Sequence, residues 1–210
     1  MSGSDPAPSS PEPSSPRRRA DARRNEQTLL EAAAAVFVTS GVDAPVRAIA
    51  AAAGVGMGTI YRHFPTRADL VVAVYRHQVD ALDAAAPALL ADTASPHAAL
   101  ARWVDDLVDF LVTKHGLGTV LPSDDHTAVA LHAAIVDRLA PACGRLLAAA
   151  EDAGEIAPGT VPLTLLRGIG NLCAGFPADR QDDARRLVHL LVAGLWSDAA
   201  VSAAGRAARG

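Results

Sequence analysis

Apolar residues recur at three- and four-residue spacing along most of the chain, and that period predicts helices throughout. From about Asn25, the residues Leu29, Leu30, Ala33, Val36 and Phe37 share one helical face, and Gly41 stops the helix. Pro45 suits a first helical position and precedes Val46, Ile49, Ala50 and Ala53, a second apolar face closed by Gly54. A third, short helix is expected from Met57 to His63, ending against Phe64 and Pro65. Thr66, with Asp69 three residues on, resembles a capping box with Asp in place of Glu or Gln. It opens a fourth helix through Leu70, Val71, Val74, Tyr75 and Leu82, which Pro87 is expected to end.

Beyond Pro87 the pattern is again helical. Ser95-Pro96 starts a helix with the stripe Leu100, Trp103, Val104, Leu107, Phe110 and Leu111, closed by Gly116. Residues 116–125 read as loop, and two helices fit about 126–137 and 139–153, with Pro141 near the start of the second. Pro162 opens another to about Ala174, and the last runs from about Arg180 to Ala199. Alanine fills 46 positions while aromatics make up 4% of the chain, so the core must be aliphatic and helix-built. The expected class is all-α, with about nine helices and no repeat.

Composition narrows the partners. The apolar run Leu190–Trp196 is far short of the roughly 20 residues a spanning helix needs. The Ser/Pro-rich start has no apolar segment ahead of its arginines, so it is not a secretory signal. Cys143 and Cys173 form neither a disulfide framework nor a CxxC motif. A cytoplasmic protein with no membrane partner is expected. Residues 1–22 read as a disordered tail and basic arm, residues 23–68 and 69–203 as two helical domains. Residues 17–67 hold eight arginines against four acids, whereas residues 81–210 hold ten basic groups against fifteen acidic ones. A basic front and an acidic rear suggest that only the front meets a polyanion.

Residues 41–70, GVDAPVRAIAAAAGVGMGTIYRHFPTRADL, carry the strongest signal. Two short helices meet at Gly54 across a tight turn, which leaves the second standing proud as in a helix-turn-helix. That second helix is short and polar, and it presents Thr59, Tyr61, Arg62 and His63, donors suited to phosphates and base edges. Gly56 and Gly58 near its start allow close approach of a phosphate to the backbone.

This stretch resembles the DNA-binding domain of the TetR family of one-component bacterial transcriptional regulators. The resemblance rests on Gly41, Ile49-Ala50, Ala53-Gly54-Val55, Gly58-Thr59-Ile60-Tyr61, His63-Phe64 and Pro65 with Arg67, and covers about residues 24–72. It implies an N-terminal three-helix DNA reader followed by a helical ligand-binding and dimerisation domain. Tyr61 and His63 would then bond phosphates, Arg62 a base edge or phosphate, and Met57 and Thr59 would face the major groove. Arg47 and Arg67 would grip the backbone on either side, over a core of Ile49, Ala53, Val55, Ile60 and Phe64. Two positions depart from the family: Ala44 where a Thr or Ser cap is usual, with Asp43 as a partial substitute, and Gly56 where a hydroxyl is usual.

Trp103 and Phe110 share one helix face, a stripe that reads as plain core. In a family whose second domain closes around an apolar effector, the resemblance also makes them, with Leu107, Leu131, Ile135 and polar Asn171, the expected pocket lining. Leu166, Ile169, Leu187, Leu190, Leu191, Gly194 and Leu195 offer more apolar surface than one domain face requires. The resemblance assigns the last two helices to a homodimer interface. The seven histidines show no HxxxH spacing, and no nucleophile elbow or phosphate-binding glycine loop occurs, so no metal, cofactor or enzymatic activity is expected. The expected function is a homodimeric repressor that a small molecule releases from a near-palindromic DNA operator. The alternatives are an activator or effector-independent DNA binder and, from another class, a helical carrier or enzyme that does not read DNA.

Overall fold

The computed structural model describes residues 16–114, 126–176 and 180–197. Its helices are α1 (Pro16–Ser40), α2 (Val46–Ala53), α3 (Met57–His63), α4 (Arg67–Asp92), α5 (Pro96–Lys114), α6 (His126–Asp152), α7 (Pro162–Ala174) and α8 (Gln181–Ala193). The all-α expectation holds, with eight helices among the described residues rather than nine. The expected tail before residue 16 and the expected loop after Gly116 lie outside them.

The turns of the front three helices form as their chemistry dictates. Gly54 takes φ +66°, a left-handed conformation costly for any residue with a Cβ. Its N–H donates to Ala51 O at 3.3 Å and that of Val55 to Ala50 O at 3.0 Å, the paired bonds of a Schellman motif. The Thr66–Asp69 capping box is present: Asp69 N–H donates to Thr66 Oγ1 at 3.1 Å, and Thr66 N–H to Asp69 Oδ2 at 3.0 Å. Asp can therefore close the box that Glu usually closes.

Four boundaries differ from expectation. Helix α4 runs through Pro87 to Asp92. The proline removes the donor for the carbonyl of Asp83, and Arg145 on α6 turns a guanidinium N–H toward that oxygen at 3.4 Å instead. Residues 126–152 form one helix, not two, with Pro141 inside it on a side where Asp137 and Pro141 are both exposed. Helix α1 begins at Pro16 rather than near Asn25, so the arginine cluster is helical; Arg is a good helix former and Pro a fitting first residue. The last helix stops at Ala193, capped by Gly194, and Trp196 instead forms an isolated antiparallel bridge with Ile156.

One apolar cluster runs from the front helices into the rear ones. Phe37, Ile49, Ile60, Leu70, Val74 and Tyr75 continue into Trp103, Phe110, Leu146, Ile169 and Val188. Helix α4 is the common member, packed on α1 in front and on α5 and α6 behind. Three polar devices fix its rear contacts. Trp103 Nε1 donates to Leu82 O at 2.7 Å, and the Tyr75 and Phe110 rings meet edge-on at 5.8 Å. Asp80 and Asp83 meet Arg138 and Arg145, the tightest contact being Arg145 to Asp83 at 2.7 Å. The hydrogen bond from Arg145 holds the Asp83 carboxyl below the usual carboxylate range, against a smaller opposing push from burial. At the far end Glu155 accepts from Ser95 Oγ and from His97 N–H, at 2.9 and 2.7 Å, capping α5 from a distant loop.

Candidate nucleic-acid interface

Helix α3 is anchored by a single fully buried side chain, Ile60, backed by Phe64 just past its end. The remaining surface faces outward. Met57 and Tyr61 are each 51% exposed, a large fraction for side chains of that size, and Arg62 and His63 lie open beside them. Thr59 is half-buried. The side chains of Arg47, Tyr61 and Arg62 take part in no hydrogen bond or ion pair among the described residues. A Cβ added at Gly56 or Gly58 would meet nothing within 4 Å, so no packing within the chain demands glycine there. The donors and bare backbone of α3 are thus unclaimed by the fold and presented together.

Helix starts in this region are weakly capped. Pro45 precedes α2 and Gly56 precedes α3, and neither helix receives a side-chain cap. Asp43 does not replace the missing hydroxyl at α2. Ala44 is buried, a place where a small apolar side chain fits without an unpaired hydroxyl.

Arg67 departs from its expected role. Its guanidinium is half-buried and donates to Val42 O and, at 2.8 Å, to Ala44 O, while its Nε is buried without a partner. It ties the start of α4 to the loop before α2 instead of reaching outward.

The expected pocket residues divide. Trp103, Leu107 and Phe110 are fully buried and packed, whereas Asn171 is exposed, because it lies on the face of α7 opposite Leu165, Ile169 and Cys173. The side chains of Leu131 and Ile135 lie outside the described residues. Among the expected interface residues, Ile169 is buried within the chain, and Leu166 and Leu195 pack against its core. Leu187, Leu190, Leu191 and Gly194 lie on an exposed face of α8, with Leu190 67% exposed, while Ala184, Val188 and Val192 bury the other face. His189 meets Asp105 at 2.5 Å and Arg185 meets Asp109, which pins α8 to α5 and turns the leucines outward.

Sequence reasoning missed the Asp80/Asp83 and Arg138/Arg145 network. Its signal was present, since residues three and seven apart share a helix face, but only the packing of α4 on α6 pairs them. Burial pushes the Cys143 thiol up to about 12 and the Cys173 thiol upward as well, so neither is poised to react. Among the described residues no group of three His, Cys, Asp or Glu could hold a metal, and no helix is long and apolar enough to cross a membrane.

Residues 29–74 match the family described as bacterial regulatory proteins, tetR family, and residues 95–197 match the transcriptional regulator SbtR-like C-terminal domain. A TetR transcriptional regulator from Streptomyces coelicolor of known structure is 34% identical, with 83% of this chain and 99% of that one covered and a TM-score of 0.67. A TetR transcription regulatory protein from Mycobacterium vanbaalenii is 31% identical over 86% of this chain and 99% of its own, with a TM-score of 0.64. HTH-type transcriptional regulators of Staphylococcus aureus are 40% identical over 63 residues, which is 30% of this chain and 34% of theirs. The match thus spans about a third of the length of those curated relatives.

Proposed function

The chain belongs to the tetR family of bacterial regulatory proteins and is a transcriptional regulator with a helix-turn-helix; from that premise we propose that it is a homodimeric repressor released from its operator by a small, largely apolar effector. The observation that carries the DNA half of this reading is the outer face of α3. Met57, Thr59, Tyr61, Arg62 and His63 lie along one seven-residue helix held by one buried anchor, next to glycines that open the backbone. Tyr61 and His63 bond phosphates, Arg62 reaches a base edge or phosphate, and Arg47 adds charge from α2. Arg67 supports this surface from behind.

Two copies joined through the exposed leucines of α8 set two α3 helices about 34 Å apart, one per successive major groove. Release follows from how α4 is held. Trp103 bonds the Leu82 carbonyl and Phe110 packs on Tyr75, so both aromatic pocket residues grip α4. An apolar molecule that inserts beside them loosens those contacts and shifts α4, whose first turn adjoins α3. The effector acts only to the extent that it binds the shifted state more tightly than the DNA-bound one.

Selection of random duplexes with the purified chain tests the reading. It predicts enrichment of a near-palindrome with half-sites about 10 base pairs apart, followed by release on addition of an apolar compound from a screened set. Enrichment of a single unrepeated half-site would overturn the dimer, and the absence of any enriched motif would overturn the DNA reading.

A further inference from the structure

The first thirteen residues of α1, from Pro16 to Thr28, are a helix whose described side chains do not pack on the rest of the protein. Every described side chain from residue 20 to residue 28 is exposed, and the first buried one is Leu29. At 1.5 Å per residue this extension is about 20 Å long. It carries Arg17, Arg18, Arg19, Arg23 and Arg24 against Asp21 and Glu26 only. Its described ion pair, Arg24 to Asp21 at 2.8 Å, is internal and exposed on both sides, so it contributes little.

A helix of this kind has little to hold it in the free chain. Three turns without an apolar face lack the packing that stabilises most protein helices. Cations in the first turns also oppose the helix dipole. Charge complementarity names the missing partner as a polyanion, and chain continuity names which one. The extension runs without a break into the part of α1 that packs on α2, so it travels with the DNA-reading head.

We propose that residues 16–28 form a second DNA-binding surface, a cationic helix that lies against the phosphates flanking the sequence read by α3. The inference rests on the DNA reading above and extends it to a part of the chain outside the helix-turn-helix. The contact is with backbone phosphate, so it adds affinity and salt dependence without adding base preference. A length of about 20 Å matches the rise of about six base pairs of duplex.

The test compares the full chain with a full-length variant carrying R17Q, R18Q, R19Q, R23Q and R24Q, glutamine being a similar helix former. Both are titrated on a duplex recovered by random selection with the unaltered chain, once trimmed to the enriched motif and once with ten flanking base pairs on each side. Each lost phosphate contact lowers the slope of log affinity against log salt by about 0.9. The proposal expects at least three lost contacts, hence a roughly 10-fold or greater loss of affinity near 0.1 M salt. It also expects that the loss is seen on the flanked duplex, shrinks on the trimmed one, and leaves the enriched motif and the melting temperature unchanged. Equal slopes for the two proteins on the flanked duplex, with tight binding retained, overturn this proposal and leave the α3 reading standing. If the unaltered chain enriches no duplex, both fall together.

Discussion

Helices α3 and α8 both rest on buried apolar anchors but offer opposite chemistry to solvent. Each buries a narrow apolar stripe, Ile60 in α3 and Ala184, Val188 and Val192 in α8. What they leave to solvent differs in kind: hydrogen-bond donors and an arginine on α3, and Leu187, Leu190 and Leu191 on α8. Exposed donors lose nothing by staying in water and gain when an oxyanion replaces it. Exposed leucines gain only when another apolar surface covers them. Under the proposed function, the contrast gives α3 a charged partner and α8 a second copy of the chain.

The strongest perturbation tests whether the two ends share one scaffold. Trp103→Ala removes a fully buried indole and the donor to the Leu82 carbonyl, so it should destabilise the fold by about 3–5 kcal/mol in chemical denaturation. A loss under about 1 kcal/mol would mean that α4 is not held through this residue. Leu187→Glu with Leu190→Glu places charge on the α8 stripe, and sedimentation should then show single chains with unchanged helical content. A variant that remains dimeric removes α8 from the interface.

A smaller effect separates two arginines of the front. Arg67→Gln deprives the Val42 and Ala44 carbonyls of their donor and should cost about 1–2 kcal/mol of stability. Arg62→Gln should leave stability unchanged and weaken DNA binding alone. Equal melting temperatures for the two variants would contradict the inward role of Arg67.

The smallest effect concerns the strut between α4 and α6. Because the folded Asp83 carboxyl titrates below its ordinary value, its contribution is present above the ordinary carboxylate range and is lost as pH falls through and below it. Asp83→Asn should therefore lower the melting temperature at pH 7 and make progressively less difference toward pH 3. The half-exposed arginines limit the whole effect to about 1 kcal/mol.

The sequence revealed local chemistry more fully than long-range pairing. The Gly54 turn, the Thr66–Asp69 box and the apolar face of Ile49 and Ala50 were legible because each depends on residues within one turn or one helix face, and the family resemblance added Ile60 and Phe64. Pro87 and Pro141 misled because a proline breaks a helix only when its orphaned carbonyl finds neither solvent nor another donor. Arg145 supplies a donor in the first case, and in the second Asp137 and Pro141 lie on an exposed side of the helix. Arg67 misled for a related reason, since a guanidinium on the surface side of a motif can equally turn inward to free carbonyls. On α7, periodicity showed an apolar helix but could not tell buried Ile169 from exposed Asn171 before the neighbours of that helix were known.

The central claim is that the outer face of α3 binds duplex DNA, and an equilibrium anisotropy titration tests it most directly. The unaltered chain and a Tyr61→Ala, His63→Ala variant would be compared on a labelled duplex from random selection at two salt concentrations. The account predicts tight binding that weakens steeply with salt, an affinity lower by about 10²-fold in the variant, and equal melting temperatures for the two proteins. Equal affinities for the two proteins would contradict it.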